Sequence, residues 1–171
     1  MNIFLIGSMG VGKSSMARLM AKHLQIPYAD TDEIIVDNEC KSINGIFKEE
    51  GEAYFRRQEA DVIRSFVVTK KMVISTGGGL PMYHDNMEYM LENGIVLYLD
   101  LDIETLTQRL FKGRAKRPAI KYLSIEEIRD KLIAMLEKRR PVYEMAHIQY
   151  LRVGDSKKEA LELSKYLNLF I

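Results

Sequence analysis

Gly7-Ser8-Met9-Gly10-Val11-Gly12-Lys13-Ser14 puts three glycines, a lysine and a hydroxyl within eight residues. The pattern is G-x-x-x-x-G-K-[ST] in full. Glycines let a backbone curl until several N–H groups converge, and converging N–H groups bind phosphate oxygens. A helix starting at the loop adds its positive N-terminal end. Lys13 then supplies a point charge for the outer phosphates, and the Ser14 hydroxyl is placed to ligate Mg²⁺. Gly10, Val11, Gly12, Lys13, Ser14 and Ser15 are therefore the candidate nucleotide site. A chance glycine turn is the bland alternative. The position between an apolar strand and a helical pattern argues against it.

Nucleotide binding does not name a reaction. A GTPase switch would show a guanine-reading Asn-Lys-x-Asp segment, which this chain lacks. The length leaves no room for the extra domains of a motor or transporter. A small kinase fits best, and a non-catalytic nucleotide-binding module is the alternative from another class.

Other chemistry-bearing residues follow in order. Asp30-Thr31-Asp32 comes after a second strand, where ligands of open α/β sheets lie. One carboxylate would serve Mg²⁺ and the other an acceptor hydroxyl, unless Asp32 merely caps the next helix. Asp100, after Ile95 to Leu99, competes for the Mg²⁺ role with the better Walker B spelling. Arg56 and Arg57 could grip a carboxylate with a planar fork, or lie solvated on a helix. Gly77-Gly78-Gly79 invites close approach by a ligand, or is a tight turn. Five basic residues and no acid lie between Arg109 and Arg117, either a lid over phosphates or a solvated loop. Arg139 and Arg140 are expected to end a helix before Pro141, where a helix favours cations anyway. His23, His84 and His147 share no metal-ligand spacing, and the methionines read as core filler.

Strands and helices must alternate to position these groups. Ile3 to Ile6, Pro27 to Ala29, Met72 to Ser75, Ile95 to Leu99 and His147 to Val153 read as strands. Met16, Leu19, Met20, His23 and Leu24 fall at helical spacing, as do Phe55, Val62, Ile63 and Phe66 between Gly51 and Phe66. Ser124 with Glu127, and Ser156 with Glu159, read as capping boxes. The fold class is α/β, a parallel sheet with helices on both faces. A chain of 171 residues with 47% hydrophobic and 29% charged residues suits one folded domain. A net charge of +1 gives no field that would draw nucleic acid or an acidic membrane. The lone Cys40 excludes an internal disulfide, and no apolar run reaches a membrane span. A cytoplasmic protein is expected.

Taken together, Gly7 to Ser14, Asp30-Thr31-Asp32, Gly51-Glu52 with Phe55-Arg56-Arg57, Gly77-Gly78-Gly79, Arg117-Pro118 and Arg139 with Pro141 and Tyr143 resemble shikimate kinase. The P-loop is shared by many enzymes; the ordered set is far more specific. The resemblance implies a P-loop kinase fold with a five-stranded parallel sheet ordered 2-3-1-4-5. It implies one domain over 1–171, with a basic lid at about 112–122 and a substrate-binding helical segment at about 33–61. It implies one Mg²⁺ bound with ATP, and shikimate, phosphorylated at its 3-hydroxyl, as acceptor. Ser14 and Asp30 would serve the metal, Asp32 the acceptor hydroxyls. Arg56, Arg139 and the wall of Gly77, Gly78 and Gly79 would hold shikimate. Lys13, Asp32 and Arg117 would be catalytic, with Arg117 closing onto ATP and Arg109 beside the adenine. A monomer is expected, without nucleic acid or membrane partners. The runner-up is a P-loop kinase for another small metabolite, such as gluconate or a nucleoside monophosphate. Ser15 and Ala119-Ile120 depart from the usual threonine and leucine pair, which bears on how the lid packs.

Overall fold

Apolar segments too short to be helices end in the five strands of one sheet. The computed structural model describes residues 1–66 and 70–170. The strands are β1 (Asn2–Ile6), β2 (Tyr28–Asp30), β3 (Val73–Ser75), β4 (Gly94–Asp100) and β5 (Ile148–Leu151). All neighbours pair in parallel, in the order β2-β3-β1-β4-β5. This is the order that the resemblance implies.

Alternation along β1 explains the three layers. Successive side chains of a strand point to opposite faces. Ile3 and Leu5 therefore enter one core, with Met16 and Met20 of α1 (Lys13–Leu24), Leu106 and Leu110 of α6 (Ile103–Lys112), and Leu163 of α8 (Ser156–Leu167). Phe4 and Ile6 enter the other. Their neighbours are Ile35 of α2 (Thr31–Glu39), Ile46 of α3 (Ile43–Glu49), Ile63 of α4 (Glu52–Ser65) and Met90 of α5 (Asn86–Asn93). Both faces are covered, so β1 carries no polar stripe. The long α7 (Ile125–Tyr143) serves both cores, with Ile128 and Leu132 in the first and Leu136 and Tyr143 in the second.

Phe55, Val62, Ile63 and Phe66 are all buried, as their spacing requires. The edge strand β5 is shorter than the alternation from His147 to Val153 predicts, because it pairs only with β4. Two short 3₁₀ turns, Arg114–Lys116 and Pro118–Ile120, carry the basic run after α6. Ile120 is buried in the first core and anchors the end of that segment. Among the described residues, no helix is long and apolar enough to cross a membrane.

Of three helix ends, one matches the expectation and two differ from it. The Ser124–Glu127 capping box is present at α7. At α8 the N-cap is Asp155, whose carboxylate accepts the Lys157 N–H at 2.8 Å. Ser156 and Glu159 form no box, because both are taken by buried Arg152. α7 does not stop before Pro141 but runs on to Tyr143. So near the helix end, proline removes only one intrahelical bond, and the Glu144 N–H closes the last turn on the Arg140 carbonyl at 2.9 Å. Asp155→Ala should lower unfolding free energy by about 1 kcal/mol, the usual worth of a cap. Urea denaturation checks this; an unchanged midpoint would return the cap to Ser156.

Candidate active site

The ends of β1, β2 and β3 lie side by side, and the chemistry collects beyond them. After β1 the chain turns through Gly7, Gly10 and Gly12, all with positive φ (139°, 86° and 96°). A side chain at Gly7 would meet the Leu99 carbonyl oxygen at 2.4 Å, so the loop needs glycine there. The loop opens α1 at Lys13 and borders a cavity of about 470 Å³. Gly10, Gly12, Lys13, Ser14 and Ser15 all line it. Val11 does not line it: its side chain is buried in the first core and its N–H donates to the Ser8 carbonyl at 3.4 Å.

The Lys13 ammonium donates to the Gly7 and Ser8 carbonyls at 2.8 and 3.0 Å. Burial pulls its pKa down to about 8, against the opposing charges of Asp32 and Asp30. Asp30, at the end of β2, is buried, and its Oδ2 accepts the Ser14 hydroxyl at 2.7 Å and the Tyr28 hydroxyl at 3.2 Å. The Ser75 hydroxyl, at the end of β3, lies 3.3 Å from Ser14. A hydroxyl and a carboxylate oxygen are hard donors that suit Mg²⁺, which keeps waters and phosphate oxygens for its remaining positions. Among the described residues no cluster of three or more His, Cys, Asp or Glu offers a complete protein cage. Asp100 stands elsewhere: its carboxylate accepts the Leu101 N–H and pairs with Arg140 at 3.5 Å. Of the two candidates for the metal, Asp30 is the one beside Ser14.

Asp30 is also the cap of α2, accepting the Asp32 N–H at 3.0 Å and the Glu33 N–H at 3.4 Å. That leaves the Asp32 carboxylate free of the capping role. It lines the cavity, and its buried Oδ1 has no hydrogen-bond partner. Burial, then the charge of Asp30, raises its pKa to about 6, with Lys13 and Arg56 pulling the other way.

The helical repeat separates each arginine doublet. Arg139 lines the cavity and comes within 3.5 Å of the place a side chain on Gly78 would take. Arg140 points to Asp100 and Glu144. Arg56 lies against Gly79, over the Tyr83 ring, and pairs with Glu59 at 2.7 Å and Glu52 at 2.9 Å. Arg57 sits instead near Tyr54. Gly78 and Gly79 line the cavity, while Gly77 donates its N–H to Thr31 at 2.9 Å. A side chain at Gly77 would strike both Asp32 and Glu59 at 2.7 Å. Arg117 reaches the cavity and donates to the Gly113 carbonyl at 3.0 Å. Arg109 lies behind the loop and donates to the Val11 carbonyl at 3.5 Å.

Two contributors escaped the sequence reading. Glu59 is buried beside Asp32, and burial raises its carboxyl to about 7 despite its bond to Arg56. An acid within the Phe55, Val62 and Ile63 stripe was the available signal. Tyr143 donates its hydroxyl to the Gly78 carbonyl at 2.6 Å, bolting α7 to the glycine wall. Tyr143 stands in the R-x-P-x-Y segment, but nothing in its spelling says what it touches.

A doubly covered parallel sheet ending in a phosphate loop, with acids and arginines facing that loop, defines a P-loop phosphotransferase. The family model described as Shikimate kinase matches residues 9–168. A Bacteroides fragilis shikimate kinase is 37% identical, over 99% of this chain and 97% of its own. The crystal structure of shikimate kinase from Bacteroides thetaiotaomicron superposes with a TM-score of 0.90 at 32% identity, covering 99% and 98% of the two chains. Shikimate kinase from Acinetobacter baumannii, in complex with shikimate, gives 0.84 at 33%, covering 99% and 94%. This chain belongs to the shikimate kinase family.

The raised carboxyl of Glu59 sets the sign of a pH effect. Its native pKa of about 7 lies above the unfolded value near 4.5, so the folded state holds the extra proton between them. Its contribution favours folding below that window and turns unfavourable as pH rises through it. Glu59→Gln should therefore gain stability relative to wild type between about pH 5 and about pH 8. Paired urea titrations across that range measure the difference, and a pH-independent difference would refute it.

Proposed function

We propose that this chain is a shikimate kinase that transfers the γ-phosphate of ATP to the 3-hydroxyl of shikimate, giving shikimate 3-phosphate and ADP. Membership of the family supports the activity. The observation that carries the acceptor assignment is the placement of Arg56 and Arg139 against Gly79 and Gly78, beside Asp32 and the phosphate loop. Guanidinium forks match a carboxylate, and a glycine wall lets a small polar ring approach the backbone.

Phosphoryl transfer needs the acceptor oxygen, the phosphorus and the leaving oxygen in line, with their charge neutralised. The backbone N–H groups of residues 10–15 and the N-terminus of α1 hold the phosphates. Lys13 exchanges its bonds to Gly7 and Ser8 for phosphate oxygens, and charge there restores its proton affinity. Ser14 and Asp30 are the residues that would hold one Mg²⁺ with ATP. That ion, when bound, supplies charge neutralisation across the phosphates. Asp32 orients the acceptor hydroxyl and takes its proton. Arg117 adds positive charge from the lid at about 112–122, and Arg109 lies on the adenine side. The segment at about 33–61 forms the acceptor side of a single domain, acting as a monomer.

ADP release measured with and without shikimate tests the reading directly. ADP should accumulate only when shikimate is present, with shikimate 3-phosphate as co-product. Equal rates without shikimate would remove the assignment.

Arg139 offers the cleaner test of acceptor binding, because Arg56→Ala also strands buried Glu59 without its ion pair. Removing one member of a buried charge pair typically costs ~2–5 kcal/mol, roughly 30-fold to several thousand-fold in affinity. Arg139→Ala should weaken shikimate binding in that range with ATP binding nearly unchanged. An analogue with a neutral group in place of the carboxylate should lose far less on the same mutation, as calorimetric titration of both ligands would show.

A further inference from the structure

Arg152, just past the end of β5, is buried at 3% exposure, yet it does not line the phosphate cavity. Its guanidinium is held on two edges. Nε and Nη2 donate to Glu159 Oε2 at 2.9 and 2.8 Å, and Nη2 donates to the Ser156 hydroxyl at 2.6 Å. The other oxygen of Glu159 accepts the Val153 and Gly154 N–H groups at 2.8 and 3.0 Å. The carboxylate is thus fixed by backbone at the entry to α8, and it fixes the arginine in turn. The remaining edge, Nη1, donates to the Val11 carbonyl inside the phosphate loop. A side chain at Gly12 would lie 2.5 Å from that same nitrogen, so glycine leaves the room for this contact.

We propose that Arg152 is a positioning residue of the phosphate loop: by holding the Val11 carbonyl it aims the Gly12 N–H at the phosphates of ATP. The Val11–Gly12 peptide is planar and trans, so its C=O and N–H point in opposite directions. Fixing the carbonyl toward Arg152 turns the N–H toward the cavity that Gly12 lines. Among the described residues, no main-chain acceptor takes that N–H. Arg109 approaches the same carbonyl only at 3.5 Å, so Arg152 is the stronger anchor. A lysine could keep the charge but could not reach Glu159, Ser156 and Val11 at once. A buried ion pair is seldom retained for stability alone, since well-packed apolar residues often serve as well. Here the pair ties the C-terminal helix to the one loop whose amide directions matter.

This inference rests on ATP being the phosphoryl donor, so wild-type binding of Mg·ATP is measured first by calorimetric titration. Failure there would overturn the donor reading itself. Arg152→Met together with Glu159→Met then removes the pair without leaving either charge stranded. That variant should melt close to wild type and bind Mg·ATP about tenfold more weakly, the worth of a hydrogen bond to a charged group. Its KM for ATP should rise in step while its KM for shikimate stays put. Wild-type ATP affinity in this variant would overturn the proposal and leave the pair a purely structural tie. If the double variant does not fold, Arg152→Lys decides: the same loss of ATP affinity supports the fork's role, and undiminished affinity refutes it.

Discussion

An ammonium group under a phosphate loop has to leave bulk water. Lys13 is in that position, and its lowered pKa records the cost. Two carboxylates offset it, and burial together with the charge of Asp30 raises the pKa of Asp32. None of these charges is tolerable alone in such a place. Their coexistence depends on the sheet order, which sets the ends of β2, β3 and β1 next to one another. Lys13 and Ser14 follow β1, Asp30 closes β2, and Ser75 closes β3. In the proposed reaction a metal ion and a triphosphate would complete the balance, bringing both signs of charge to a place where the protein already holds both.

The proposed acceptor side is built differently. Its arginines come from helices, and the 3.6-residue turn decides which member of each doublet faces inward. Arg56 is pre-set by Glu52 and Glu59, so its fork is oriented before any ligand arrives. Arg139 shares a helix face with Tyr143 one turn later, and Tyr143 is bonded to Gly78. The arginine and the glycine wall therefore keep their separation through one rigid element. Binding energy is not spent on ordering them.

Supports of this kind sit one layer behind the groups proposed to serve ligands. Glu59 stands behind Arg56, Tyr143 behind Gly78, and Arg152 behind Val11. Each is buried, and each acts on a single atom of its neighbour. Precision in phosphoryl transfer is a matter of alignment, so groups that merely fix direction have leverage on rate and affinity.

Much of this was written in the chain itself. The phosphate loop, the parallel α/β class and the capping box at Ser124 were legible, because local spacing dictates local structure, and the ordered motif set was specific enough to point to the family. The α8 cap was misread, since Ser156 and Glu159 have the right spacing but are claimed by an arginine packed against them. Asp32 is released from capping by Asp30, a choice made by backbone geometry at the end of β2. Asp100 has the better local spelling but lies against Arg140, away from Ser14. Local rules see three or four residues in either direction. Which carboxylate faces the loop, which arginine of a pair points inward, and what grips the Val11 carbonyl from 141 residues away are decided only when the strands and helices close around one another.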